Sequence, residues 1–302
     1  MLDWPPEIPE ACLSAHGWRH AGTNICLDFH GDPLRAELVL FSDGNHHMAL
    51  HQALDSFCRS FQGLGSIFYA TTPPGPLLVL LREGRLCLGN LILSLRPHVF
   101  ISPPDIMDQL AREGRVNQVV PLVRNQGNVL LVARGNPLSI KEVDDLLPSG
   151  ARVFLSNPET EKASHTAYAR TLKALAAGDR GRDILDSLAA AGNLVVGERI
   201  HHREAPEAVA GGRADAAMVY YHLALRYKRL FPETFDIVPL GGSVDRPQPR
   251  PGNVISRTSM GLVDQGGTWG RELISFFQSQ TVQDIYISHG LLPDQSPMGP
   301  GN

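Results

Sequence analysis

The sequence has few of the features that mark disulfide-rich, nucleic-acid-binding or membrane-spanning proteins. Its four cysteines are scattered without C-x-x-C spacing, which argues against both a thiolate zinc site and a disulfide framework. Lys and Arg total 27 against 31 for Asp and Glu, and this net charge of −4 excludes the basic field that attracts nucleic acid. No apolar run approaches the ~20 residues that span a bilayer, so we expect no direct membrane insertion.

Catalytic and targeting motifs are also missing. There is no G-x-S-x-G, no G-x-x-x-x-G-K-[ST] and no H-E-x-x-H, and Gly63-Leu-Gly65 lacks the third glycine of a dinucleotide fingerprint. The sequence therefore favours a binding protein over an enzyme, and it indicates no cofactor. The amino terminus has neither a cationic n-region nor an apolar h-region. As written, the chain is predicted to be cytoplasmic, or periplasmic if an export signal has been omitted.

What the sequence does contain is an alternation of strand and helix patterns. Its 302 residues suffice for two lobes. After an irregular, proline-rich leader over residues 1–34, short apolar runs alternate with amphipathic segments, which is typical of an α/β fold. The apolar run Gly127–Gly135, with turn residues at both ends, is typical of a strand that is buried on both faces or crosses between the lobes, and we predict the crossing.

The segment Ala36–Leu50 is the most informative part of the sequence. An apolar run ends at a polar turn, Ser42 to Asn45, and continues directly into helical periodicity. Such a turn presents free backbone N–H groups, supported by the helix dipole, at the carboxyl end of a sheet. We therefore predict a ligand-binding turn that includes Ser42, Asp43, Asn45 and His46.

A second turn of the same kind follows the next apolar run, Ser66–Ala70. That predicted strand ends at Thr71 and Thr72, and two prolines follow. Because proline has no N–H group, this turn depends on the threonine hydroxyls for its donors. A simple turn without a ligand is the alternative interpretation of both threonines.

Seven segments follow one another in a characteristic order: Phe41–Leu50, Thr71-Thr72, His98–Asp108, Gly127–Arg134, Ser156–Ala169, Ala217–Tyr220 and Val282–Leu292. This order resembles the type II periplasmic solute-binding proteins, and most closely the molybdate- and tungstate-binding receptors of ABC transporters. The resemblance covers roughly residues 36–292. It implies an α/β fold of two lobes, each a mostly parallel sheet flanked by helices, with a ligand cleft between the lobes.

The resemblance also implies domain boundaries, a ligand and its contacts. Lobe 1 comprises residues 35–125 and 241–302, and lobe 2 comprises residues 126–240. The ligand is a small oxyanion such as molybdate or tungstate, and the lobes close when it binds. The implied ligand-binding residues are Asn45, Thr71 or Thr72, Ser156, the backbone of Thr166 or Ala167, and Tyr220. A helix cap is the alternative role for Asn45, and a packed core aromatic is the alternative for Tyr220.

Two histidine pairs are additions that an oxyanion site does not require. His46 and His47 lie beside the first turn, and His201 and His202 precede a helix of the second lobe. In a closed protein, imidazoles from both lobes would suit a transition metal or a metal chelate. Adjacent histidines on a helix point about 100° apart, so at most one of each pair faces a given site. Solvated helix starts are the alternative.

Transport, sensing and catalysis are three possible consequences of binding. A receptor would pass its ligand to an ABC permease, and a cytoplasmic sensor would act on a separate signalling partner. An enzyme on the same fold would need a titratable pair with perturbed pKa values, for which Asp43 with His46 or His47 is the candidate.

Overall fold

Two units of the chain are each built around a β-sheet. The computed structural model describes residues 2–3, 28–71, 74–88, 91–177, 180–198 and 201–295. Residues 125–256 form one unit, here called the continuous unit. Residues 28–124 and 257–295 form the other, here called the split unit.

Strands and helices alternate along the described residues. The strands are β1 (Asp28–His30), β2 (Leu38–Ser42), β3 (Ile67–Thr71), β4 (Leu86–Leu88), β5 (Leu91–Leu93), β6 (Val99–Ser102), β7 (Val116–Arg124), β8 (Asn128–Ala133), β9 (Val153–Leu155), β10 (Leu194–Val196), β11 (Ala216–Tyr220), β12 (Phe235–Pro239), β13 (Arg257–Val263) and β14 (Leu292–Pro293). The α-helices are α1 (His47–Ser60), α2 (Pro74–Glu83), α3 (Pro104–Arg112), α4 (Lys162–Leu175), α5 (Arg180–Ala190), α6 (His201–Ala210), α7 (Tyr221–Leu230), α8 (Gly270–Phe277) and α9 (Gln280–Ser288). Short 3₁₀ turns cover Gly44–His46 and Val143–Asp145.

The sheet of the split unit has the order β1-β3-β2-β6-β13-β7-β14. Its β3-β2-β6 part is parallel, and helices α1 and α2 lie in the crossovers that parallel pairing requires. The edge strand β1 and the returning strands β13 and β14 pair antiparallel with their neighbours. The sheet is therefore more mixed than the mostly parallel one predicted, because the chain returns as β13 in the opposite direction.

Helices cover both faces of this sheet, which confirms the predicted α/β class. Leu38 and Leu40 of β2 share one buried apolar cluster with α1, α8 and α9. Val39 and Phe41, which alternate with them, share a second cluster with α2 and α3. A strand that is buried on both faces needs apolar residues at successive positions, and this explains the unbroken apolar run before the turn.

The sheet of the continuous unit has the order β10-β9-β11-β8-β12. Strands β10, β9 and β11 are parallel, whereas β8 is antiparallel to both β11 and β12. The prediction that Gly127–Gly135 crosses between lobes is wrong, because β8 lies inside this sheet with a paired strand on each side. Its apolar sequence reflects burial of Val129–Val132 within one unit.

The turn after β2 starts a helix, as the sequence predicts. The Asp43 carboxylate caps the 3₁₀ turn by accepting a hydrogen bond from the backbone N–H of Asn45 at 3.0 Å. Helix α1 then buries Leu50, Leu54 and Phe57 at i, i+4 and i+7. The cap and the apolar face together fix the turn at the carboxyl end of β2.

Candidate functional site

Three neighbouring parallel strands of the split unit each end on a hydroxyl residue. Ser42 ends β2, Thr71 ends β3 and Ser102 ends β6, and all three side chains are buried. Ser42 is in register with Thr71, so the two lie side by side at the carboxyl edge of the sheet. We did not predict Ser102 as a site residue, although it repeats the pattern of a strand that ends on a hydroxyl before a helix.

Two of these hydroxyls have no hydrogen-bond partner among the described residues. Within that part of the chain neither Thr71 Oγ1 nor Ser102 Oγ is paired with a protein group, although Thr71 is only 2% exposed and Ser102 is fully buried. A buried hydroxyl without a partner costs about 1–3 kcal/mol, so these groups are suited to a ligand atom that accepts a hydrogen bond. Thr71 alternates onto the α1 face of the sheet with Ser42, and Ser102 alternates onto the α3 face.

Ser42 belongs to a chain of hydrogen bonds that begins on the last helix. Its Oγ donates to the backbone oxygen of Asp43 at 2.9 Å, and His46 Nε2 lies 3.0 Å from the same Oγ. Since Ser42 has a single hydroxyl proton, His46 Nε2 must be the donor in the second contact. His46 Nδ1 lies 2.8 Å from Tyr286 Oη, which donates to it when the imidazole is neutral. The Ser42 hydroxyl thus stabilises the turn after β2.

The carboxylate of Asp43 is enclosed beside this chain. Asp43 is 3% exposed, and burial raises its pKa to about 6. One oxygen, Oδ1, accepts the capping hydrogen bond from Asn45, whose side chain is exposed. The neighbouring His47 turns its Nδ1 toward the backbone oxygen of Gly44 at 3.0 Å. The first predicted turn therefore brings Ser42, Asp43 and His46 together in one buried group.

The continuous unit holds Ser156 at the carboxyl end of β9. Ser156 is fully buried, and Ser164 Oγ of helix α4 lies 3.2 Å from its Oγ. His165 of the same helix donates from Nδ1 to the Ser156 backbone oxygen at 2.7 Å. Two side chains of α4 thus fix the residue that follows the strand.

Tyr220 ends β11 within an aromatic cluster of the continuous unit. Its ring lies 5.0 Å from the Tyr168 ring and 5.6 Å from the His222 ring, and it stacks on His222 at 9°. Only 3% of Tyr220 is exposed. The structure therefore places this predicted ligand residue at a strand end, as expected, and packs its ring against aromatic neighbours.

His201 is enclosed in the same unit. Its Nε2 donates to the Met218 backbone oxygen at 2.9 Å, and its ring lies between Phe154 and Tyr168 at centroid distances of 5.4 and 4.9 Å. Burial lowers the pKa of His201 to about 4, so the imidazole is neutral at physiological pH. Its backbone N–H donates to Glu161 Oε2 at 3.0 Å.

Glu161 is a second carboxyl group with an unusual environment. Burial, and then the charge of Glu204, raise the pKa of Glu161 to about 7. The Glu161 carboxylate accepts a hydrogen bond from the first N–H of α6, and Glu161 itself is the residue before α4. The sequence alone does not mark Glu161 as buried, because its burial depends on the packing of α4 and α6.

Two further predicted site residues, Thr166 and Ala167, lie on helix α4. The Thr166 hydroxyl is exposed and donates to the Lys162 backbone oxygen at 2.7 Å, and Ala167 is buried on α4. Both residues follow the first four positions of α4, where free N–H groups occur, so the helix ladder accounts for their backbone donors. Thr72 lies outside the described residues.

The histidine pairs lie in different units. His46 and His47 belong to the split unit, whereas His201 and His202 belong to the continuous unit. The backbone oxygen of His202 accepts a hydrogen bond from the Tyr227 hydroxyl at 2.5 Å. Within the ranges that the structure describes, no three His, Cys, Asp or Glu residues are grouped closely enough to hold a metal ion. Metal binding by the histidine pairs stays a prediction.

None of the helices in the described residues combines the length and the apolar character that a membrane crossing requires.

Known proteins resemble this chain in both sequence and fold. A family model described as bacterial extracellular solute-binding protein matches residues 88–292. Comparison with curated protein sequences gives no match. The fold is similar to the substrate-binding domain of a putative molybdenum ABC transporter from Clostridium difficile, with a TM-score of 0.62 and 15% identity over 85% of this chain and 99% of that one.

Two further solved structures show the range of ligands that proteins of this fold bind. The sulfate-binding protein SubI from Mycobacterium tuberculosis has a TM-score of 0.60 and 18% identity, covering 85% of this chain and 87% of its own. The iron-bound HitA from Pseudomonas aeruginosa has a TM-score of 0.56 and 16% identity, covering 88% and 87%. These likenesses establish the fold, and the family match extends over most of the chain. The chain therefore belongs to the bacterial extracellular solute-binding protein family.

Proposed function

We propose that this solute-binding protein binds a small oxyanion, and that the carboxyl edge of the split-unit sheet supplies part of its site. The observation that supports this most directly is the pair of buried hydroxyls, Thr71 Oγ1 and Ser102 Oγ, for which the residues that the structure describes supply no hydrogen-bond partner. They end β3 and β6, the two strands that flank β2 in the parallel region of the sheet, at the edge where α/β proteins bind their ligands.

Neutral donors are sufficient for such a ligand. Hydroxyl and backbone N–H groups that converge on an anion stabilise it without a full counter-charge, and burial strengthens each contact. A hydrogen bond to a charged group contributes about 1.5–3 kcal/mol, so a few donors of this kind give useful affinity. Molybdate and tungstate stay as candidate ligands, because one structural neighbour is described as part of a molybdenum transporter.

The continuous unit is proposed to contribute its own strand-end residues. Ser156 follows β9 and Tyr220 ends β11, so both occupy the position in their sheet that Ser42 and Thr71 occupy in the other. Contacts that a ligand makes only in one conformation shift the population toward it, so closure of the protein on its ligand is part of the proposal.

The family description also bears on location and partner. We propose that the protein works outside the cytoplasm and passes its ligand to an ABC permease, because the matching family is described as extracellular. A cytoplasmic sensor is the alternative location, and a separate signalling protein would then be the partner. Transition-metal binding through the histidine pairs is the alternative to oxyanion binding. One structural neighbour is described as iron-bound, so metal ions are included in the experiment below.

Thermal unfolding of the purified protein with a panel of ligands tests this proposal. The panel contains molybdate, tungstate, sulfate, phosphate, and the ions of zinc, nickel and iron. A ligand at 100 times its Kd raises the free energy of unfolding by about 2.7 kcal/mol, which gives a clear upward shift of Tm. A shift with metal ions and none with any oxyanion would favour the histidine alternative and contradict the oxyanion proposal.

A pair of matched variants then locates the site. Thr71→Val removes the hydroxyl and keeps the shape of the side chain, and we expect about a tenfold to 100-fold loss of affinity for the preferred oxyanion. Thr281→Val makes the same change on the exposed surface of α9 in the same unit, and its affinity should equal that of the wild type. Equal affinities of the two variants would remove Thr71 from the site.

A further inference from the structure

A cavity of about 780 Å³ lies along one edge of the continuous-unit sheet. Strand β12 is the last strand in the order of that sheet, so β8 pairs with one side of it and the other side is an edge. Residues 237–239 of β12 line the cavity, together with residues 136, 140–141, 241–242 and 248–251. This cavity, here called the edge groove, belongs entirely to the continuous unit.

The chain that follows β12 does not extend the sheet along this edge. The Arg250 N–H donates to the Leu240 backbone oxygen at 3.1 Å, so the segment between them turns back on itself as a hairpin. Pro249 and Pro251 lie in the returning arm and line the edge groove. Because proline has no N–H group, this arm is unsuited to continue as a further strand beside β12.

The edge of β12 carries backbone groups that the sheet does not use. The Arg134 N–H donates to the Thr234 backbone oxygen at 2.8 Å, so Thr234 points its carbonyl toward β8. Successive residues of a strand point their N–H and C=O groups to opposite sides, so in this register Ile237 points away from β8. No other hydrogen bond among the described residues involves the backbone of Ile237. Its N–H and C=O are therefore available to pair with another strand.

The charged side chains around the edge groove favour an acidic partner. Lys141 and Arg250 are its basic residues, and none of the described residues that line it is acidic. Two carboxylates of the neighbouring sequence already have cations, since Glu142 lies 2.9 Å from Arg250 Nη1 and Asp236 lies 2.9 Å from Lys228 Nζ. Lys141 is exposed and makes no ion pair within the described part of the chain. A basic groove attracts acidic side chains and repels basic ones.

We propose that the edge groove binds an extended, acidic segment of a partner protein, which adds a strand to β12. Ile237 supplies the N–H and C=O for backbone pairing, and Lys141 and Arg250 attract the acidic side chains. A second copy of this chain matches the groove poorly, because Pro239 has no N–H to donate and the basic residues of the two copies would repel each other. A free small anion would use the cations and leave the backbone edge unpaired.

Fluorescence anisotropy of the intact protein with two labelled peptides tests the charge requirement. One probe is a short peptide that alternates Glu and Thr, and the other has Lys in place of each Glu. We expect the acidic peptide to bind with a Kd of about 100 μM, because Pro239 limits the pairing to a short segment, and the basic peptide to bind at least about tenfold more weakly. Equal affinities, or no binding of the acidic peptide, would overturn the proposal. Free glutamate that displaces this peptide at the same concentration would assign the groove to a small anion instead.

Charge reversal locates the contact. Lys141→Glu places an acidic side chain at the groove, and we expect about a tenfold loss of affinity for the acidic peptide. Lys173→Glu makes the same change at an exposed position of α4 in the same unit and should bind the peptide as the wild type does. Equal affinities of the two variants would exclude the edge groove. A dimer in light scattering that Lys141→Glu dissociates would assign the groove to a second copy and overturn the proposal.

Amide hydrogen exchange, measured residue by residue by NMR, tests the backbone pairing. With the acidic peptide at saturation, exchange of the Ile237 N–H should slow at least about tenfold, because that group enters a hydrogen bond of the new strand. The Val238 N–H points to β8 and should keep its rate, so it serves as the internal control. An unchanged rate at Ile237 with the peptide bound would overturn strand addition.

Discussion

The two units hold the polar residues at their strand ends by different means. In the split unit a directed chain of hydrogen bonds runs from Tyr286 through His46 to Ser42. In the continuous unit Tyr220 at the end of β11 is held by packing against the rings of Tyr168 and His222, beside a Ser156 that α4 holds by hydrogen bonds. The same place in an α/β sheet can thus be made rigid by hydrogen bonds or by packing, and the two solutions respond differently to mutation and to pH.

The largest expected effect comes from removing an aromatic wall of the continuous unit. Phe154 is fully buried, so Phe154→Ala should lower the free energy of unfolding by about 3–5 kcal/mol through lost burial and a cavity. Phe41→Ala is the matched change in the split unit, where Phe41 is 1% exposed. Amide hydrogen exchange should show loss of protection in residues 125–256 for the first variant and in the split unit for the second. Equal loss in both units for either variant would show that the two unfold together.

A smaller effect should follow from opening the hydrogen-bond chain of the split unit. Tyr286→Phe removes the hydroxyl that lies 2.8 Å from His46 Nδ1, and a buried nitrogen deprived of this donor costs about 1–3 kcal/mol in chemical denaturation. Ser42→Ala tests whether the chain acts as a unit, because its effect should be smaller in the Tyr286→Phe background than in the wild type. Strict additivity of the two changes would mean that the contacts are independent.

The smallest effect concerns the pH dependence of the continuous unit. Burial raises the pKa of Glu161 from 4.5 to about 7, so the folded state holds this proton more tightly than the unfolded state. The resulting stability is fully present below pH 4.5 and is lost as the pH rises through about 7. Glu161→Gln imitates the protonated form, and its stability relative to the wild type should rise across this window.

Denaturant unfolding at a series of pH values checks this prediction. Glu159→Gln is the control, because Glu159 is exposed and only two residues away. The control should show the same pH dependence as the wild type. If the free energy of unfolding of Glu161→Gln still falls with pH as it does in the wild type, another group causes the effect. Asp43 is the first candidate, because burial raises its pKa to about 6.

Strands with continuous apolar runs were predictable from the sequence. Strands β2, β3 and β6 combine such a run with a polar or proline-containing stop, so both the strands and the turns after them could be located. The strands β7 and β13 were not predicted. β7 contains Pro121 and a positive φ of 47° at Gln118, and its pairing with β13 shifts register twice, which hides the alternation that marks a strand.

The candidate site was predictable only in part, for a similar reason. Residues on one short segment, such as Ser42, Asp43 and His46, could be grouped because the turn that joins them is local. Tyr286 lies 240 residues from His46, and no local pattern connects them. The burial that raises the pKa of Glu161 likewise depends on two helices that are distant in sequence. The local sequence therefore predicts which residues end strands. Tertiary packing decides which of these residues keep a free hydrogen-bond donor or acceptor.

The position of β13 between β6 and β7 has a consequence for synthesis on the ribosome. Until residues 257–263 have emerged, β6 has an open edge and β7 lacks the neighbour to which it is paired in the finished sheet. The continuous unit, by contrast, is complete once Ser256 has been made. The nascent chain therefore carries a finished domain beside a half-built sheet with unpaired backbone groups, and that interval is when edge-to-edge aggregation and the need for a chaperone are greatest.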